Sequence, residues 1–454
     1  MKAGGAFSMW DRGAIEMIRG TIAECSAGRG GVALVTAASR LTLVDVLVTQ
    51  CNATDKKGGG CFYMEDGNLT VSGGAIRDCE ATLGSGGALK TIGDGVKVRL
   101  SGVTVQGCTA PEWGASIHIN GGQLELVDFQ MQDCLGEAVL YEESGTLLAE
   151  RVRVIRCGRY DPITEITLTL AGISTWTDLT VADNYGQIWI SSGTHTFKRT
   201  NILRSSALNV PKYGVLDISA GTVTMLDSRI ADPGVGPWQV LPITQKDRIA
   251  TPGCPCITAA GETTLILRST VLSNCSGSVI NMGPSAMYRS GTSISVTAAV
   301  AMRFQAELLT LEPSCDQDPS AALIGVDSTI TEPLRVRGLR VVAPAACASQ
   351  NFSVLSNYER LVNCSDSGKL CGTAATCTDV QLILDFKSAS CSCQGEVFAN
   401  SNGTSLALAP YGFDPYAIGL PKGVKPTDVG LPDSIIDYCV RAVSLNHNRR
   451  LEHA

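Results

Sequence analysis

Histidine is scarce in this chain, at 4 of 454 residues, and aromatic residues make up only 5%. Imidazole-based metal centres and histidine acid–base machinery therefore have little to draw on. So few rings also weaken the case for a long sugar-stacking groove. There is no excess of positive charge: the net charge is −7, the pI is near 5.3, and Lys and Arg are scattered apart from Arg449-Arg450. Nucleic acid, which needs a basic patch interleaved with aromatics, is excluded as the expected partner. No run reaches the ~18 apolar residues of a membrane span. The opening residues, Met1-Lys-Ala-Gly-Gly-Ala-Phe-Ser-Met, have no apolar leader core.

Cysteine and glycine, by contrast, are plentiful, at 18 and 48 residues. Cys25, Cys51, Cys79, Cys108, Cys134 and Cys157 lie 26, 28, 29, 26 and 23 residues apart, and Cys275 closes a seventh copy of the same phrase. A fixed period of this size marks a stacked repeat. Ten positions before each cysteine stand Ile15, Leu41, Leu69, Val98, Leu124, Leu147 and Leu265; eight before, Met17, Leu43, Val71, Leu100, Leu126, Ala149 and Leu267; three before, Ile22, Val48, Ile76, Val105, Met131, Val154 and Leu272. Apolar residues two apart share one face of a strand. Six before the cysteine come Arg19, Asp45, Gly73, Gly102, Asp128, Arg151 and Ser269, which suit a corner facing water. After a variable loop a further strand opens on glycine, as in Gly31-Val32-Ala33-Leu34 and Gly87-Ala88-Leu89.

Three short strands and three corners describe one coil of a parallel β-helix; a helical solenoid is discounted because the apolar period is 2 rather than 3.6. The period continues through Asn184, Ser205 and Pro233, breaks at a proline-rich stretch of about 234–257, resumes near Ala260 and fades beyond Val342. About 14 coils at ~4.8 Å would make a rod of about 65 Å. The break is expected to be a protruding loop, with Cys254-Pro-Cys256 pinning it, and to be the best candidate for a specific contact. Gly4-Gly5-Ala6-Phe7 matches the Gly-Gly-Ala-Leu phrase of later coils, so the chain is expected to be a fragment of something longer. As a whole, residues 1–345 resemble right-handed parallel β-helix proteins of the pectin-lyase kind, and the Gly-Gly-Ala-Leu turns resemble polymorphic outer-membrane-type surface repeats.

The cysteine column admits two readings. Its thiols pack as small hydrophobes, or they form disulfides between successive coils; the parallel side chains of an in-register stack favour the first. One thiolate per coil with no histidine nearby makes no metal site. Downstream, Cys364, Cys371, Cys377, Cys391 and Cys393 fall in the order C-x6-C-x5-C-x13-C-x-C, followed by Gln394-Gly395. Residues 346–400 are set apart as a cysteine-rich module, within which about 360–398 resemble an EGF-like module. That resemblance implies the pairs Cys364–Cys377 and Cys371–Cys391, with Cys393 pairing onward; the only cysteine downstream, Cys439, lies far beyond the family's usual spacing. Residues 401–454 read as an irregular Pro/Gly-rich tail.

Sequons begin at Asn52, Asn68, Asn274, Asn351, Asn363 and Asn402. Asn52 and Asn274 sit beside column cysteines and are expected to be buried, leaving Asn68, Asn351, Asn363 and Asn402 as glycosylation candidates. Sequons and cysteines together point to an extracellular or cell-surface chain.

No catalytic constellation is legible. Asp45 and Asp128 share the corner column but lie about 14 Å apart, too far for a glycosidase pair. Glu142 and Glu143 point to opposite faces. All four read as solvated charge, as do Arg151, Arg153 and Arg156 beside Glu150. His118, His195, His447 and His453 have no legible Ser or Cys partner. Thr-x-Thr phrases at 167–169 and 194–196 do not recur coil after coil, which argues against ice binding. The expectation is an all-β, non-catalytic rod without cofactor, acting as spacer or ligand-presenting surface toward an extracellular protein or polysaccharide. A carbohydrate-active or carbohydrate-binding solenoid is the alternative.

Overall fold

The computed structural model describes residues 5–158, 166–184, 186–205, 214–233, 255–275, 279–282 and 303–313, together with strands at 324–326, 334–341, 380–385, 390–398 and 405–408. Every regular element among them is a β-strand. The chain divides into two compact units, one of Met1–Thr222 with Asp232–Thr251, the other of Val223–Ala231 with Pro252–Ala454.

In the first unit each coil has a leading strand, a corner, a short strand, a loop and a return strand. Leading strands stack in parallel and in register, for example Leu41 on Leu69, Leu69 on Val98 and Val98 on Leu124. Short strands do the same through Val105, Met131, Val154, Val181 and Ile202. Return strands run from Phe7–Met9 through Ala33–Val35, Phe62–Met64, Leu89–Ile92 and onward to Leu216–Ile218. A long parallel stack of this kind is consistent with a β-helix solenoid. The apolar columns face the interior: Leu41, Leu69, Leu124 and Leu147 are at most 1% exposed. Each such side chain contributes about 1.5–3 kcal/mol by leaving water.

The second unit is parallel as well, with Leu265 on Phe304, Leu272 on Leu311 and Ile280 on Ile324. The stacking ends at Leu334–Val341, where Val380–Asp385 pairs antiparallel. Ser390–Phe398 pairs antiparallel with that strand and with Ser405–Leu408. A strand at 405–408 is the described part of the stretch read as an irregular tail. Backbone pairing sets Cys391 against Leu384 and Cys393 against Leu382. Cys364, Cys371, Cys377 and Cys439 lie outside the described residues, as do the boundary at 345, nearly all of the loop at 234–257, and Asn351, Asn363 and Asn402.

The corners have a common conformation. Asp45, Asp128, Arg151, Asp178 and Arg199 all have φ between +49° and +56°, and a second set directly before the cysteine slot (Asp78, Asp133, Arg156, Asp183, Arg204) lies between +46° and +57°. Aspartate tolerates this left-handed region because its short side chain bonds locally; arginine has no such relief. Gly73 and Gly102 stand in the same column at +70° and +64° without that penalty.

The cysteine column divides in two. Cys79 is bridged to Cys61, and in the second unit Cys275 is bridged to Cys256. Cys61 and Cys256 each directly precede a return strand, and their partners stand at the end of the short strand that comes next, 18 and 19 residues on, which is less than one repeat. Both bridges therefore cross a coil rather than link successive coils, an option outside the two readings of the column. Cys256 is accordingly tied to Cys275, and Cys254 lies outside the described residues. Cys51, Cys108, Cys134 and Cys157 are free and buried, and Cys25 is free and half-buried. Asn184 takes the next slot: its Oδ1 accepts from the Cys157 backbone N–H at 2.7 Å, and its Nδ2 donates to the Val154 carbonyl at 2.8 Å.

Candidate functional site

Alternation sends Phe62 and Met64 into the coil and Tyr63 the other way. Register then stacks Tyr63, Lys90, His118, Tyr141, Thr169, Trp189 and Asp217 in one column on the outer side of the return strands. Most of this polar column is out of water: Lys90 is 8% exposed, His118 6% and Asp217 6%. Burial pushes the Lys90 ammonium down, opposed by Glu112 and Glu143. Burial, then the nearby Lys90 charge, lowers His118 to about 3, and burial raises Asp217 to about 7.

Around Lys90 and His118 the side chains converge. Lys90 Nζ donates to Ser85 Oγ at 3.4 Å, and Ser85 Oγ donates to Glu112 Oε2 at 3.2 Å. His118 Nε2 lies 3.4 Å from Glu143 Oε2, which also accepts from Asn120 Nδ2 at 2.7 Å. His118 Nδ1 is buried with no hydrogen-bond partner. The Trp113 and Tyr141 rings stack with centroids 5.0 Å apart, and Tyr141 meets His118 edge-on.

A β-bulge accompanies this arrangement. Ile119 pairs with Glu142 and Asn120 with Ser144, so Glu143 is one residue too many. Alternation past the inward Glu142 places Glu143 outward, beside His118. Glu142 turns inward, where it is fully buried, which corrects its reading as solvated charge. Neither of its carboxyl oxygens has a partner at hydrogen-bond geometry. Burial raises it to about 8, with the Gly172 backbone as the one opposing influence.

The other charged candidates are engaged in the corners. Arg151 makes paired hydrogen bonds to Asp128, the longer at 2.9 Å, and also meets Glu150. Arg156 grips Asp133 at 2.8 and 3.1 Å, Arg199 grips Asp178 at 2.6 and 2.8 Å, and Arg204 grips Asp183 likewise. The Arg151 guanidinium holds Asp128 below the usual carboxylate range. Arg151 and Arg156 are thus corner residues bonded to the preceding coil rather than free charges; Arg153 is an exposed strand residue. Asp45 is a left-handed corner residue.

His195 does have a serine partner: Ser174 Oγ lies 2.7 Å from its Nδ1, Trp176 Nε1 donates to the same Oγ at 2.9 Å, and His195 Nε2 donates to the Ser192 carbonyl at 2.6 Å. Ser174 and His195 are 1% and 0% exposed. They occupy the apolar column of Leu147, so the pair fills the coil interior. Burial lowers His195, with the Ser192 carbonyl opposing.

On the leading-strand face lies a shallow groove of about 560 Å3, lined by Arg40, Asn68, Lys97, Arg99, Gln123 and Glu125 among others. Arg99 pairs with Glu125 across it. Asn68, the one glycosylation candidate within the described residues, is half-buried there; Asn274, expected to be buried, is exposed in a left-handed corner.

Among the described residues no group of three or more His, Cys, Asp or Glu side chains could hold a metal ion, and no helix is long and apolar enough to cross a membrane. Comparison with family models, curated proteins and solved structures finds no match to this chain.

Proposed function

We propose that the chain is a non-catalytic, extracellular, right-handed β-helix rod with a C-terminal EGF-like module, which holds a ligand-presenting surface at a cell boundary. The handedness is supported by the strong right-handed preference of parallel crossover connections. The extracellular setting is supported by two coil-closing disulfides, a bond type that persists in oxidising compartments. The observation that carries the ligand-presenting role is the Lys90–His118 cluster. A polar column packed out of water beside exposed Glu112, Glu143 and a ring pair costs stability that the coil does not need, which marks a contact site. The partner is an extracellular protein or polysaccharide.

The same cluster favours one second reading, a carbohydrate-active solenoid. Glu112 and Glu143 flank Lys90 from neighbouring coils, and glycosidase chemistry runs on a carboxyl pair. An array of acidic and neutral polysaccharides, probed with the full chain, separates the two. Non-catalytic presentation predicts retention on one glycan class, weakened about tenfold or more by Trp113→Ala and by Glu143→Gln, with no new reducing ends or unsaturated products. Product release that Glu143→Gln abolishes would establish the enzyme instead. Retention indifferent to both substitutions would remove the cluster from the contact site.

A further inference from the structure

Cys108, Cys134 and Cys157 follow one another on three successive coils. Val105 pairs with Met131 and Met131 with Val154, so the cysteines three residues later are in register, about one strand spacing or ~4.8 Å apart. That falls inside the Cα range a disulfide needs, roughly 4.4–6.8 Å. The Cys134 thiol interacts with its neighbours on both sides, Cys108 and Cys157. All three are fully buried, and each also donates to the carbonyl two residues earlier. Beyond this trio the run is interrupted on one side by Cys79, already bridged to Cys61, and on the other by Asn184.

We propose that this trio is a disulfide site in which Cys134 is the shared partner, linking to Cys108 or to Cys157 but never to both. The bridge joins successive coils, whereas Cys61–Cys79 closes a single one. It forms during oxidative folding, before the coils shut out the oxidant, with glutathione disulfide as electron acceptor. Two protein thiols lose two protons and two electrons, one protein S–S bond forms, the oxidant's S–S bond breaks, and two glutathione thiols leave. The third cysteine remains a thiol and can attack the bridge, moving it one coil along with no net redox change. Cys108 and Cys157 cannot pair directly, since two strand spacings, ~9.6 Å, exceed the ~7 Å limit.

The full chain refolded in glutathione redox buffer, alkylated in denaturant and mapped by non-reducing peptide mass spectrometry tests this. The expected map links Cys134 to Cys108 or Cys157, with one alkylated thiol per trio. Cys157→Ser should send the whole population to Cys108–Cys134, and Cys108→Ser to Cys134–Cys157. Cys134→Ser should leave two alkylated thiols and remove the rise in Tm that oxidation gives the parent chain. Ser116 stands where Cys61 stands in its coil, since Phe62, Leu89 and Ile117 are in register, so Ser116→Cys should capture Cys134 in a coil-closing bridge and free both neighbours. Three alkylated thiols in molecules whose Cys61–Cys79 bridge has formed would overturn the proposal. So would a Cys134 link to any other cysteine of the parent chain. The formed Cys61–Cys79 bridge is the internal control for oxidant and fold, and neither outcome bears on the ligand-presenting role.

Discussion

At the corners, Asp183 and Arg204 stand on neighbouring coils, partly exposed to water, and share two hydrogen bonds. On the return strands of the same unit, Lys90 and His118 are stacked out of water with few partners. Both regions place ionisable side chains in register, one above the next. From Asp128 to Arg204 the corners alternate sign from coil to coil, so each of these charges meets its complement at the surface. The return strand sets cation beside imidazole out of water, so burial lowers both groups and the Lys90 charge lowers His118 further. Stacking by itself is neutral; the sequence of signs along the stack decides whether it stabilises.

The largest effect should come from Glu142, which is buried like the return-strand column but faces inward. Its folded value of about 8 exceeds the ordinary 4.5, so the folded chain holds a proton that the unfolded chain gives up. The contribution of Glu142 is then greatest below pH 4.5 and falls as pH rises toward about 8. The loss is of the order of 4 kcal/mol, taking ~1.4 kcal/mol per unit. Glu142→Gln should flatten that fall in denaturant unfolding measured from pH 4.5 to 8. Of the slope that remains, Asp217 contributes in the same direction and His118 in the opposite one. An unchanged profile would mean that Glu142 reaches water or a partner.

His118 has the opposite sign. Its folded value of about 3 lies below the ordinary 6.5, so the unfolded chain binds the proton first. Its contribution is intact above pH 6.5 and is lost as pH falls toward 3. The magnitude should be somewhat below that of Glu142, because Glu143 lies beside the ring to receive a positive charge. His118→Gln should raise relative stability at pH 4 against pH 7, by roughly 2–3 kcal/mol. No change would place the ring in contact with solvent and align the return strand with the corners.

Much of the coil was legible in the sequence because period-2 burial leaves a direct trace: Leu69, Val71 and Ile76 announce their columns by spacing alone. The corner column was legible in position but not in conformation. Arg151 looks like any exposed arginine until the left-handed backbone and Asp128, 23 residues earlier, are both seen. A signal was nevertheless present, since Asp128 and Arg151, Asp178 and Arg199 fill one slot in alternation. The Lys90–His118 cluster was hidden for a different reason. Its members come from separate coils with loops of unequal length, and a bulge just past Glu142 changes the register by a single residue. Ser174 and His195 were readable in principle, both falling ten residues before a cysteine-equivalent slot where every other coil is apolar. The coil-closing bridges required knowing that Cys61 and Cys256 stand at equivalent places ahead of Cys79 and Cys275.

The smallest expected effect tests the corner half of the comparison. Arg204 carries a left-handed φ of +46°, which costs a non-glycine residue roughly 1–2 kcal/mol. Its exposed pair with Asp183 returns roughly 0.2–1 kcal/mol. Arg204→Ala keeps the backbone penalty and loses the pair, so it should destabilise by up to about 1 kcal/mol, less at high salt. Arg204→Gly loses the same pair but relieves the backbone, as Gly73 and Gly102 do in their own column, and should come out near zero. Measured together by thermal unfolding, the two substitutions separate conformation from charge. If glycine costs as much as alanine, the left-handed corner is not strained and the pairing carries the whole effect. If alanine is as harmless as glycine, the charge ladder is ornament on a backbone held by stacking alone, and the contrast with the buried return strand becomes one of hydration rather than of pairing.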